Sequence, residues 1–154
     1  MNLRTTARVF GIAFLLIGIL GFVPGITRMH DTLHGSGDSH PPLRVGGPGH
    51  GDLLGLFHVN VLHNLVHIAF GIWGLVAAAS FGGSRNYFRG VGIIYALLTV
   101  MGLLPAPFNN TFGLVPIHGH DVWLHAVLAL AGLYLGFAAK AHDVSEPSRD
   151  TQVV

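Results

Sequence analysis

The sequence predicts an all-α integral membrane protein, a four-helix bundle built from two tandem helical hairpins. Three observations lead there: a composition too apolar for water, four uncharged stretches of membrane-spanning length, and an internal repeat at fixed offsets. Of the 154 residues 51% are hydrophobic and only 10% charged, where a soluble domain carries about 25% charged residues. Mean hydropathy is +0.58. The net charge of +1 forms no basic patch, so the expected partner is the lipid bilayer and not a nucleic acid. Cysteine is absent, which removes disulfides, thiolate metal sites and cysteine nucleophiles from consideration.

The uncharged stretches are residues 9–27, 53–84, 90–120 and 122–139. A helix crossing the hydrocarbon core needs roughly 17–25 mostly apolar residues, and backbone groups in lipid must pair within their own segment. Trimming at Pro and Gly signals predicts helices near 6–23, 60–80, 87–104 and 121–140. Pro24 and Pro105 end the first and third, because proline cannot continue the hydrogen-bond ladder. The first segment, with Arg4 and Arg8 before an apolar run, has the outline of a signal peptide. It is followed by Phe22-Val23-Pro24-Gly25 and not by a small-x-small cleavage site, so a retained span is expected.

The repeat has two components. Gly55-Leu56 through Gly74-Leu75 aligns without gaps on Gly113-Leu114 through Gly132-Leu133, an offset of 58. Arg8, Gly11, Ile12, Leu16, Gly21 and Pro24 recur as Arg89, Gly92, Ile93, Leu97, Gly102 and Pro105, an offset of 81. The chain therefore reads as two hairpins whose first connection is longer by 23 residues. Each unit has two spans, so both enter the membrane the same way round, as a parallel repeat about an axis along the membrane normal. Gly11, Gly18, Gly21, Gly71 and Gly74 allow close helix–helix approach.

Arg4, Arg8, Arg85, Arg89, Lys140 and Arg149 fall on one side of this topology, and Arg28 and Arg44 on the other. The positive-inside rule then places both termini, the 81–88 loop and the 141–154 tail in the cytoplasm. Ten of the eleven histidines fall on the outer side and only His142 on the inner. The outer loop 24–59 is rich in Gly, Pro, Ser and His. Such a composition cannot offset its ordering entropy, so mobility is expected. His30, His34, His40 and His50 in this loop would hold a metal loosely, or belong to an ordinary solvated linker. Asn109-Asn110-Thr111 matches a glycosylation acceptor, a weak pattern.

Chemistry concentrates at matched heights on the second and fourth helices. At the offset of 58, His67 falls on His125 and His63 on Asp121. Residues four apart share a helix face, so His63/His67 and Asp121/His125 each present one polar pair. Across a pseudo-symmetric bundle the two pairs would converge as three imidazoles and a carboxylate. That set suits Zn, Cu, Ni or non-haem Fe better than Mg or Ca. Loss of metal in equal measure is expected for His67→Ala and His125→Ala. His67 and His125 alone would also serve as axial ligands of a haem, with Ala69, Gly71 and Ala126 leaving room. Purely structural roles compete with both. Asp121 would cap or charge the start of its helix, as Asn60 does for the second helix. His63 and His118 would anchor in the headgroup zone with Trp123, and His67 and His125 would bond to backbone carbonyls or to Asn64.

The run Leu54-Gly55-Leu56-Phe57-His58-Val59-Asn60-Val61-Leu62-His63-Asn64-Leu65-Val66-His67 resembles the signature of a bacterial family of small four-span membrane proteins, described as domain of unknown function 4383. Phe112-Gly113-Leu114 followed by Gly119, Asp121, Leu124 and His125 is similar to that family's second motif. The resemblance covers roughly residues 5–140, and His-Asn-Leu-Val-His is its most specific part. The chain departs from it at His58, where Pro is expected, and at His118, where Asn is expected. The resemblance implies a bacterial inner-membrane location and no established activity. Two functions follow as expectations: a structural or interaction module, alone, as a homo-oligomer or with a membrane partner, and a metal- or haem-binding protein. Catalysis ranks behind both, since Asp121 is the only carboxylate within the predicted helices.

Overall fold

The computed structural model describes residues 2–29 and 50–140. Helix α1 (Leu3–Leu20), α2 (Val61–Ala77), α3 (Phe81–Leu103) and α4 (His120–Leu133) form the bundle. A π-helical turn at Tyr134–Ala138 extends α4, and a 3₁₀ segment at Phe108–Gly113 follows α3. Three helical stretches, Leu3–Leu20, Phe81–Leu103 and His120–Ala138, are long and apolar enough to cross a membrane. The shorter α2 is equally apolar and has 17 residues, which at 1.5 Å per residue reaches about 25 Å.

Helix boundaries depart from expectation where a polar cap outranks an apolar count. Asn2 accepts from the Arg4 and Thr5 amides, so α1 begins at Leu3 and not at residue 6. Ser80 accepts from the Gly83 amide and starts α3 at Phe81, six residues before the expected 87. By composition Gly82 and Gly83 signal a loop. They are instead absorbed into the first turn, where backbone amides need no intrahelical partner and the cap decides.

Each hairpin closes on glycine. A Cβ built on Gly11 would lie 2.9 Å from both Gly71 O and Leu75 N, and one on Gly92 would lie 2.5 Å from Leu133 N. Gly11 and Gly92 are 81 apart, Leu75 and Leu133 are 58 apart, so matched positions meet in both hairpins. α1 packs along α2 and α3 along α4, and the hairpins touch mainly through α2–α3 and α1–α3. Phe14, Tyr87, Phe88, Val91 and Tyr95 make the aromatic-rich centre. Phe10 meets Phe88 edge-on at 5.3 Å, and Phe14 stacks on Tyr95 at 5.7 Å. At this end arginines cover free carbonyls: Arg4 Nε donates to Ala78 O, Arg85 to Ala139 O and Arg89 Nε to Gly136 O. Positive charge at helix C-termini is electrostatically favourable.

The bundle is inverted relative to a soluble one. Val9, Leu16, Val76, Leu97, Val127 and Leu130 are exposed, while Asn60, His63, Asn64, His67, Asp121 and His125 are buried. An outward apolar belt of this extent has a favourable solvent only in lipid. The molecule is a helical membrane protein.

The opposite end carries a feature the sequence reading lacks. Thr27–Met29 (β1), Gly51–Leu53 (β2) and Phe57–Val59 (β3) form an antiparallel sheet in the order β1-β2-β3. Both ends of the region expected to be mobile are thus hydrogen-bonded. Three-residue strands are too short for period-2 alternation to register, and the tight β2–β3 turn hides behind Leu54, which takes φ +56 beside Gly55 at +70. His30, His34, His40 and the tail from residue 141 with His142 lie outside the described residues. Of the glycosylation pattern, Asn110 is buried and its side chain accepts from the Gly113 amide within the 3₁₀ segment.

Candidate metal centre

Two helix starts build the site. Asn60 caps α2, accepting from the His63 amide at 2.8 Å while its own amide donates to Leu114 O at 2.7 Å. One side chain thereby ends the β3–α2 junction and ties it to the second hairpin. His63 and His67 follow on one face, with rings 4.9 Å apart and 22° from parallel and Nε2 atoms 3.0 Å apart. Gly119 caps the start of α4, with a φ of +67 that turns the chain and no side chain to bond the first amides. Asp121 is therefore not the cap. It sits in the first turn, turned inward and 2% exposed. His125 lies one turn deeper, also 2% exposed.

The four residues nominated by the repeat meet in the interior. Donor atoms of His63, Asp121 and His125 all lie within 4.8 Å of one another, and His67 adjoins this triplet through His63. His63 is buried, and so is not the headgroup anchor its height suggested; Trp123 is exposed as an anchor would be. Asp121 Oδ2 and the Nδ1 atoms of His63, His67 and His125 are buried without a hydrogen-bond partner. Leaving such a group unpaired costs roughly 1–3 kcal/mol, and four at one place call for a common partner. Backbone carbonyls do not supply it.

The surroundings match across the hairpins as the four polar residues do. Phe14 packs on His67 with ring centroids 5.5 Å apart, and Tyr95 on His125 at 5.0 Å. Phe14 and Tyr95 are themselves a matched pair at offset 81, a correspondence visible in the sequence beside the Gly and Pro matches but not used. These rings close the site toward the arginine end. A cavity of about 190 Å³ between α1 and α4 reaches His67 from the side, walled by Phe10, Ala13, Ile17, Leu124 and Leu128. Toward the sheet end, His58 on β3 bonds Asp52 on β2 at 3.0 Å, and His118 stacks on His58. The sequence sets His58 and His118 at the outer mouth but does not join them to Asp52, because only the sheet brings Asp52 opposite His58.

Chemically, two imidazoles and a carboxylate at this spacing fit a borderline divalent ion. Donors held ~2.0–2.1 Å from a tetrahedral ion lie roughly 3.4 Å apart, so modest side-chain rotation contracts the triplet onto one centre. Three protein donors leave a fourth position for His67 or an exogenous group. No curated protein and no solved structure matches the chain. A family model described as a domain of unknown function matches residues 4–138, from the first turn of α1 to the last residue of the π-helical turn. With both hairpins and all four converging residues inside that match, the chain belongs to the family of domain of unknown function 4383.

Proposed function

We propose that the protein holds one divalent transition-metal ion within its bundle, ligated by His63, Asp121 and His125 with His67 beside His63. The observation that carries this reading is the convergence of those donor atoms within 4.8 Å, in a buried place where Asp121 Oδ2 and His125 Nδ1 have no other partner. Mixed nitrogen and oxygen donors favour zinc and its neighbours over magnesium or calcium. The packing of Phe14 and Tyr95 against the imidazoles favours a single ion over a haem macrocycle. In this reading the arginine end faces the cytoplasm of a bacterium with both termini, and the site lies near the outer face of the inner membrane.

A second reading, a structural or interaction module, draws on the His63–His67 bond and on the Asn60 bridge to Leu114. There the polar residues hold the helices in register and bind nothing. Zinc titration of detergent-purified protein separates the two. The metal reading expects saturation at one zinc per chain and at least 100-fold weaker binding in Asp121→Asn, which keeps shape but removes the charge. Equal binding by wild type and Asp121→Asn would refute it.

A further inference from the structure

We propose that His50, Asp52, His58 and His118 form a loading station that captures the metal ion from water and hands it to the buried site; the inference rests on the metal reading above. Asp52 and His58 are direct partners in the β2–β3 ladder, which puts both side chains on one face of the sheet, Oδ1 to Nδ1 at 3.0 Å. The His50 ring meets His58 edge-on at 5.2 Å, and the His118 ring lies over His58 at 6.0 Å and 26° from parallel. Three imidazoles and a carboxylate, drawn from both hairpins, thus gather outside the helices. They are the same donor types as those within.

The cluster stands where the segments leading into α2 and α4 approach the site. His58 precedes His63 by five residues through the Asn60 cap, and His118 precedes Asp121 by three. Exposure falls along the way: 36% for the Asp52 side chain, 10% for His58, then 4% for His63 and 2% for His125. The other end of the bundle offers a cation the reverse, with Arg4, Arg85 and Arg89 at the helix ends and Phe10, Phe88 and Tyr87 behind them. A hydrated divalent ion enters an apolar bundle at low cost only if ligands replace its waters one at a time, and among the described residues the sheet end is the one that supplies ligands in series. Among the described residues the buried triplet is the group whose donors lie within 4.8 Å. The outer cluster is gathered by ring contacts of 5.2 and 6.0 Å around the Asp52–His58 pair, and weaker binding there than in the buried triplet is what release requires.

Stopped-flow mixing of the full-length, metal-free protein with Co(II) tests this, because the ion's visible d–d bands report arrival in the buried site. The double variant His58→Gln/His118→Asn should load at least tenfold more slowly and reach the wild-type spectrum and stoichiometry. Identical end states show that the fold and the inner site are intact. His120→Gln, which alters an exposed neighbour outside the cluster, should load at the wild-type rate. Equal rates for wild type and the double variant would overturn the loading station and leave the metal site standing. Wild-type protein that takes up no cobalt would overturn both.

Discussion

The two hairpins are alike in how their backbones cross and unlike in how their seams are filled. Gly11 against Leu75 and Gly92 against Leu133 set the same close crossing twice. Between the hairpins the seams diverge. Where α2 meets α3, Trp73 lies against Gly90, and Phe70 meets Tyr95 edge-on at 5.5 Å. Where α1 faces α4, the positions matching Trp73 and Phe70 are Ala131 and Leu128, and the cavity of about 190 Å³ remains. A similar asymmetry governs the site. His67 and His125 match, each under its aromatic ring, but His63 is answered by Asp121. Matched positions thus converge from both hairpins, and Asp121 in place of a fourth imidazole supplies the negative charge that the proposed divalent ion would need.

The largest effects should come from breaking the shared crossing. Gly11→Leu and Gly92→Leu each force a side chain into facing backbone and should cost about 3 kcal/mol, read as thermal unfolding in detergent. If the crossings are equivalent the two losses are similar; a tolerated leucine at either position would show that the hairpins do not share a packing mode.

Next come the matched histidines. By symmetry alone His67→Ala and His125→Ala lose metal equally. The structure separates them, since His125 belongs to the triplet and His67 reaches it through His63. His125→Ala should abolish stoichiometric zinc. His67→Ala should weaken binding by roughly 10–100-fold, the usual cost of losing a supporting residue. Equal losses, measured by competition with a chromophoric chelator, would restore the symmetric arrangement and make His67 a full ligand.

The smallest effects belong to the seams. Leu128→Phe puts the ring of the sealed seam into the open one and should raise stability by about 1 kcal/mol. Phe70→Leu should open the sealed seam and lower stability by about 1 kcal/mol. Opposite signs in parallel melts would support the comparison, and destabilisation by Leu128→Phe would mean that the α1–α4 gap is needed as it is.

Much of this is legible in the sequence. The four helices, their pairing and the meeting of His63, His67, Asp121 and His125 follow from uncharged lengths, glycine register and i, i+4 spacing, because in lipid a helix has few alternatives. What escaped reading depended on contacts between distant residues or on single polar atoms. Ser80 moved the start of α3 because one hydroxyl outweighed two glycines. The sheet escapes reading because its strands are three residues long, because β1 and β2 lie more than twenty residues apart, and because Leu54 at positive φ disguises the tight β2–β3 turn. The Asp52–His58 pair exists only once that sheet does. Asp121 reads from its place at a helix start as a cap or a first-turn acid; it is the first-turn acid, since Gly119 takes the capping position with a positive φ, and its inward burial is not visible in the sequence.

The most direct test of the central claim is elemental analysis of the detergent-purified, tag-free protein, alongside His125→Ala prepared identically. The account predicts close to one zinc, copper, nickel or iron per wild-type chain and none in the variant. Wild-type protein that is folded yet free of metal, even after incubation with zinc, copper, nickel and iron, would contradict it and leave the buried histidines as contacts that hold the helices in register.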